Sequence, residues 1–221
     1  MCESVLRLFV SVPVASFRVA YAREYWESYP CPPPSTVYGM LLSLVSETDR
    51  LKHKGAELAL AVLSHPHRSV VLRTLWRVKN RKIAPGLGEN ARPDFQELLT
   101  DIRLSVWVRK GKEEIGAKDS LKGRLESAFS DPARVSRFGA LALGESTHLV
   151  DEIRPWWEGD PRQGRLLVQD REAGTLTLPI WPDHVGAKGT RWNRFRLDPV
   201  ANLPASPEEA AWVAVTPPAE H

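Results

Sequence analysis

Only two of the 221 residues are cysteines, Cys2 and Cys31. Two cannot staple a small secreted fold, and no Cys-x-x-Cys spacing offers a zinc site, so a reducing, cytoplasmic setting is expected. No apolar run approaches the ~20 residues that a membrane helix needs, so no membrane contact is expected. Residues 1–7 carry Glu3 and lack a basic segment leading into an apolar stretch, so no export leader is predicted. Gly139, Gly144 and Glu145 read as a turn, and no Gly-x-Gly-x-x-Gly loop is there to cradle a phosphate. No serine or cysteine sits in a nucleophile motif. His65-Pro66-His67 has the spacing of a metal pair but no further ligand at a sensible distance, so it reads as a plain turn. No metal or cofactor is expected. The formal net charge is +3, too small by itself to demand a nucleic acid, so local clustering has to decide.

What is present is an ordinary globular mixture, 43% hydrophobic and 26% charged, long enough for one large domain or a domain with a smaller companion. Eight Trp and eighteen Pro stand out. Trp suits cores, interfaces and stacking on unpaired bases, and Pro suits long, shaped loops.

Along the chain, residues 5–12 read as a strand and 36–48 as a helix, with Ser35 as its N-cap after the run Pro32-Pro33-Pro34. Residues 57–64 and 69–78 read as strands on either side of a turn. A breaker-rich stretch, 80–93, follows, then an alternating strand at 102–109. Helices are predicted at 120–129 and 132–137, and a strand at 147–153. The order strand, helix, strand, strand, helix, strand is the βαββαβ order of a ferredoxin-like or RRM-like α+β domain. After about residue 154 short strands (165–169, 175–181) mark a smaller β-rich region. The tail, 204–221, is rich in Pro, Ala and Glu and reads as partly disordered, with one strand near 212–215.

One segment is specific: Tyr29-Pro30-Cys31-Pro32-Pro33-Pro34-Ser35-Thr36, continuing to Leu44, with Ala15-Ser16-Phe17-Arg18 ahead of it. It resembles the N-terminal signature of the Cas-five family of CRISPR RAMP proteins. Residues 90–107 resemble that family's return strand, and 138–153 its Gly-turn and last RRM strand. The resemblance covers roughly 5–155 and is greatest to the type I-B, Myxococcus-like subgroup. It implies an RRM-like domain over 1–155 with a protruding β-hairpin thumb at about 79–101, beside a smaller C-terminal region at 156–221. It also implies binding of the 5′ handle of crRNA within a type I Cascade. The partners would be backbone subunits, a large subunit and the repeat endonuclease, with target DNA reached indirectly. One branch of the family cuts precursor RNA with a Tyr and a Lys-His pair. Here Leu42, Leu44 and Val45 stand where that Tyr is sought. Lys52-His53 is the only Lys-His pair and lies out of place. A noncatalytic subunit is therefore expected, with an endoribonuclease and a purely structural scaffold as the rival readings.

The candidate RNA contacts follow from charge. Arg68, Arg73, Arg77, Lys79, Arg81, Lys82 and Arg92 face a single acid, Glu89, within 68–92; such a strip attracts phosphates, although most charge runs are only solvated faces. Lys188, Arg191, Trp192 and Arg194 lie in a segment, 188–196, that interleaves cations and aromatics, which suits a single strand. Ser35 and Thr36 open the helix, where free N–H groups can meet a phosphate. Arg18 and Arg23 lie in the loop before it. His148 reads as a strand histidine.

Overall fold

The computed structural model describes residues 4–185 and 188–218. The strands are β1 (Leu6–Ala15), β2 (Tyr25–Trp26), β3 (Glu57–Val62), β4 (His67–Trp76), β5 (Ala91–Arg109), β6 (Glu152–Pro155), β7 (Gln163–Gln169), β8 (Leu176–Trp181), β9 (Arg191–Leu197), β10 (Ala201–Asn202) and β11 (Val213–Ala214). The helices are α1 (Pro34–Leu44) and α2 (Leu121–Ser130).

Four strands make the centre in the order β6-β1-β5-β3, every neighbour antiparallel. Helix α1 links β1 to β3 and α2 links β5 to β6, so two β-α-β units interleave as the βαββαβ order requires. β1 and β3 each have one residue face turned to the helices. Leu8, Val10, Val12, Leu58, Leu60 and Val62 on that face pack with Val37, Leu41, Leu121 and Leu125 in the main core. Burying one such side chain contributes about 1.5–3 kcal/mol.

Helix α1 is shorter than 36–48, and Ser35 is not its cap. Pro33 takes the N-cap position and Pro34 the first helical one, where a fixed φ costs nothing. The helix ends because Ser46 adopts φ 55°. Ser46 N–H then bonds the Ser43 carbonyl and Glu47 N–H bonds the Leu42 carbonyl, a Schellman closure. Helix α2 starts as the sequence suggests, with the Ser120 hydroxyl accepting from Gly123 N–H. The helix expected at 132–137 is one 3-10 turn, Pro132–Arg134, and the last central strand lies at Glu152–Pro155 rather than 147–153.

The strands read at 69–78 and 102–109 do not pair with each other. β4 pairs with the first half of β5, His67↔Thr100 to Trp76↔Ala91, while 102–109 is held in the central sheet between β1 and β3. β5 therefore runs unbroken from Ala91, including the end of the stretch 80–93 that reads as breaker-rich. Asp101, at φ 57°, marks the point where β5 changes neighbour from β3 to β4. β1 ends opposite Leu99. At about 3.4 Å per residue, residues 91–98 carry the hairpin roughly 25 Å farther. β2 takes over the edge β1 leaves, pairing in parallel through Tyr25↔Phe95.

The C-terminal strands continue the same sheet: β7 joins β3 through Ala61↔Leu166 and Val62↔Arg165, followed by β9 and β8. The described part of the tail is ordered into the sheet. Trp212 and Ala211 cover Trp107, Ala59, Ala61 and Val168 on the face opposite the helices. Trp107 Nε1 donates to the Ala205 carbonyl, and β11 pairs with β3. This part of the sheet face, open in a bare βαββαβ domain, is closed by the chain itself.

Candidate nucleic-acid interface

The hairpin tip, residues 77–90, is built around one buried side chain that charge counting overlooks. Asn90 Oδ1 accepts from the backbone N–H groups of Lys79 and Asn80, and its Nδ2 donates to the carbonyls of Asn80 and Ile83. Asn90 is fully buried, and its carbonyl accepts from Arg77 N–H and Gly86 N–H. Gly86 sits at φ 82°, and a Cβ there would lie 2.7 Å from the Trp76 ring, so only glycine fits. The only sequence signal was an Asn within a stretch of breakers.

This tip gathers Arg77, Lys79, Arg81 and Lys82. Arg77 Nε donates to the Glu89 carbonyl and Lys79 Nζ lies 3.2 Å from the Glu89 carboxylate. Arg81 and Lys82 are exposed, and neither side chain has an ion-pair or hydrogen-bond partner among the described residues. Arg92 does not join them. It lies down the stem, with Nε 2.9 Å from Asp94 and Nη1 3.9 Å from Glu24, so its charge is largely answered.

At the root of the hairpin, Arg18 stacks over Trp26 at 4.1 Å and donates to the Ala22 carbonyl. Arg73, beneath the same ring at 5.1 Å, reaches Gln96 and Glu145. Arg23 is exposed with no side-chain partner among the described residues. Ser35 and Thr36 border a cavity of about 290 Å³ between α1, Gly144 and His184. Ser35 is already committed there, its hydroxyl donating to the Pro179 carbonyl. Lys188 is an exposed turn residue. Arg191 is anchored to the Thr216 hydroxyl. Trp192 and Arg194 project from the outer face of β9, Trp192 with 40% of its surface exposed. The structure thus brings Arg77, Lys79, Arg81 and Lys82 together, keeps Arg18 and Arg23 at the hairpin root, and holds Lys188, Arg191, Trp192 and Arg194 on the β8–β9 side.

Two of the histidines, His53 and His148, are built in, while His65, His67 and His184 are exposed. His53 is fully buried, its Nδ1 2.7 Å from Glu113 and its Nε2 2.9 Å from Arg124. Because arginine only donates, Nε2 accepts and Nδ1 carries the proton toward Glu113. Lys52 beside it pairs with Glu47 at 2.8 Å. Tyr38, on α1, donates to the Arg50 carbonyl, and burial first, then Glu113, push its hydroxyl far above the ordinary range. Among the described residues no group of His, Cys, Asp and Glu is placed to hold a metal ion.

His148 Nδ1 accepts from the backbone N–H groups of Ser16 and Glu145, both at 3.2 Å, pinning the 144–148 turn against the end of β1. Burial pushes its pKa below the ordinary 6.5. A protonated ring loses both bonds, and the unfolded chain takes the proton more readily. This contribution to stability is therefore complete above pH 6.5 and is lost as the pH falls below it. The difference in melting temperature between wild type and His148→Gln is expected to narrow from about pH 7.5 to about pH 5.5. A gap that stays constant over that interval overturns the assignment.

No family model matches the chain. By sequence it is 46% identical over 200 residues to a "CRISPR-associated protein Cas5" of Myxococcus xanthus (strain DK1622), covering 90% of this chain and 93% of that protein. Among solved structures, a chain of a "CRISPR RNA-guided surveillance complex" superposes with TM-score 0.61 at 15% identity, over 94% of this chain and 96% of that one. A second, described as a Cas protein, superposes with TM-score 0.51 at 14% identity, over 90% and 95%. At such identities these two likenesses are of fold.

Proposed function

The chain belongs to the Cas5 family of CRISPR-associated proteins, and from that premise we propose that it is a noncatalytic subunit that holds the 5′ handle of crRNA in a type I Cascade. The observation that carries this reading is the thumb tip. Four cations, Arg77, Lys79, Arg81 and Lys82, are presented at the end of a hairpin that outreaches the sheet, and Arg81 and Lys82 have no carboxylate to answer them among the described residues. A polyanion laid beneath the thumb meets these charges first, and Arg18 and Arg23 stand at its root. The RNA is gripped between thumb and core rather than on the sheet face that Trp212 covers.

The partner subunits have a surface to use. Val70, Leu72, Trp76 and Phe95 lie on one face of the hairpin, 50%, 64%, 72% and 47% exposed. Backbone and large subunits are proposed to cover such apolar area, with the repeat endonuclease delivering the RNA and target DNA reached through the guide. No helix among the described residues is long and apolar enough to cross a membrane, and the cytoplasm is the proposed setting. The noncatalytic part rests on chemistry. His53 is enclosed, His148 spends its acceptor on two N–H groups, and the Tyr38 hydroxyl is buried and raised.

The test is to co-purify the chain with the products of its neighbouring genes and sequence the bound RNA. Guide RNAs sharing one repeat-derived 5′ end are expected. Recovery of the assembled proteins without such RNA sinks the reading in favour of a scaffold. Purified chain incubated with repeat RNA, with and without EDTA, is expected to leave it intact. Cutting at one position, abolished by a point mutation in this chain, makes it an endoribonuclease.

A further inference from the structure

Beside the thumb root lies a second feature that the cation strip does not account for. The loop through 19–30 and the strands β8 and β9 enclose a groove of about 580 Å³. Tyr21 and Trp192 stand on its borders, 77% and 40% exposed, and Tyr29 and Leu176 help to line it. Among the described residues no acid lines it. Arg194 projects from the same outer face of β9 two residues beyond Trp192. Its Nε and Nη1 are fastened to the carbonyls of Gly174 and Arg171. Carbonyls hold a guanidinium without neutralising it, and two of its five N–H donors are thereby used. Asp170 pairs with Arg196 at 3.2 Å and also feels the Arg194 charge, but Arg194 itself forms no ion pair among the described residues.

We infer that this groove is a capture site for one unpaired nucleobase of single-stranded RNA, with Trp192 as the stacking platform and Arg194 as the adjoining phosphate contact. The inference rests on the handle-binding reading above and names a subsite of it. Exposed aromatic faces bordering a groove suit a flat π-system, and every base presents one. The volume lies within the ordinary range for small-ligand sites. A cation fixed beside the platform, with no acid in the lining, matches a ligand that carries a phosphate with each base. The location agrees: Ser28, in the groove wall, donates its N–H to Glu97, and Glu97 also pairs with Arg68 on β4 at 2.7 Å. The groove wall and the hairpin stem are thus joined at Glu97, which places the groove beside the thumb root.

The experiment measures binding of the full chain to a repeat-derived single-stranded RNA, and to the same oligomer with one position made abasic at a time. Trp192→Ala is expected to weaken the intact RNA by roughly 5- to 150-fold, the equivalent of about 1–3 kcal/mol per stacked base. Trp192→Phe keeps a ring and is expected to retain most of the affinity, which guards against a loss through misfolding. One abasic position is expected to cost wild type a similar factor and Trp192→Ala nothing further. If Trp192→Ala binds the intact RNA as wild type does, or if every abasic oligomer loses affinity equally in both proteins, the groove holds no base. A variant that keeps RNA affinity but loses a partner subunit makes the groove a protein contact and overturns the inference. Should thumb substitutions weaken RNA binding while Trp192→Ala does not, the subsite fails and the handle reading stands. Should wild type not bind the RNA at all, both fail together.

Discussion

Replacing Lys79, Arg81 and Lys82 together by alanine is expected to flatten the dependence of log affinity on log salt by up to about two units, at about 0.7 unit for each phosphate of single-stranded RNA no longer neutralised. Arg81 and Lys82 are expected to supply most of this. Their side chains have no partner to give up among the described residues, so their whole charge is available to displace counterions. Lys79 already lies 3.2 Å from Glu89, although both are more than half exposed, and a surface pair of this kind is weak. The fold is expected to survive, because the tip is organised by Asn90 and backbone groups rather than by these cations. Affinity at several salt concentrations, with circular dichroism as the folding control, reads the result. An unchanged slope in a folded protein assigns the tip to protein packing and moves the RNA to the β8–β9 side.

The largest loss of stability is expected from Glu113→Ala. The Glu113 side chain is completely buried, accepts from His53 Nδ1 at 2.7 Å, and also accepts from Leu121 N–H at the first turn of α2. His53 in turn meets Arg124, and Arg124 reaches Glu47 and the Val45 carbonyl at the C-terminal end of α1. One connected network thus joins the ends of both helices to the 46–55 loop. Removing the carboxylate leaves two buried donors, His53 Nδ1–H and Leu121 N–H, without their acceptor, which together costs about 3–5 kcal/mol. In a chain of this size that corresponds to a fall in melting temperature of roughly 6–20 °C. Replacing His53 and Glu113 together by apolar residues of similar volume is expected to cost less than Glu113→Ala alone, because His53 Nδ1–H is then no longer stranded and only the Leu121 N–H lacks the acceptor it had in Glu113. A Glu113→Ala protein that melts within a degree or two of wild type shows that water or a shifted loop replaces the carboxylate.

Much of this was readable from the chain. Alternation at 102–109 and the apolar face of α1 are local patterns set by the two-residue and 3.6-residue repeats, so the α+β class and element order followed without tertiary information. The Pro-rich lead into α1 and the cation run at 77–82 are likewise contiguous in sequence. What escaped were choices between local signals and distant partners. Residues 91–101 carry Pro93 and flank a breaker-rich stretch, yet they form a strand because β4 and β2 offer ladders on both sides. Ser35 is a good cap by type, but Pro33 and Pro34 already fix the chain entry, and the Ser35 hydroxyl goes to Pro179, 144 positions away. The Pro-rich tail read as partly disordered with one strand near 212–215, and that strand forms at Val213–Ala214, but the apolar sheet face around Trp107 that Trp212 covers is announced by no local pattern.

The candidate site divides in the same way. The sequence by itself determined which residues are cationic or aromatic and that they cluster at 77–82 and 188–196, because charge and ring are properties of the residue. Only the tertiary structure decided which of those charges are still available. Arg92 is answered by Asp94, while Arg81 and Lys82 remain open among the described residues. It also brought Trp192 and Tyr21, from opposite ends of the chain, to the lining of one groove. A charge or a ring acts on a ligand only when no nearer partner has claimed it, and which partners are near is a matter of packing.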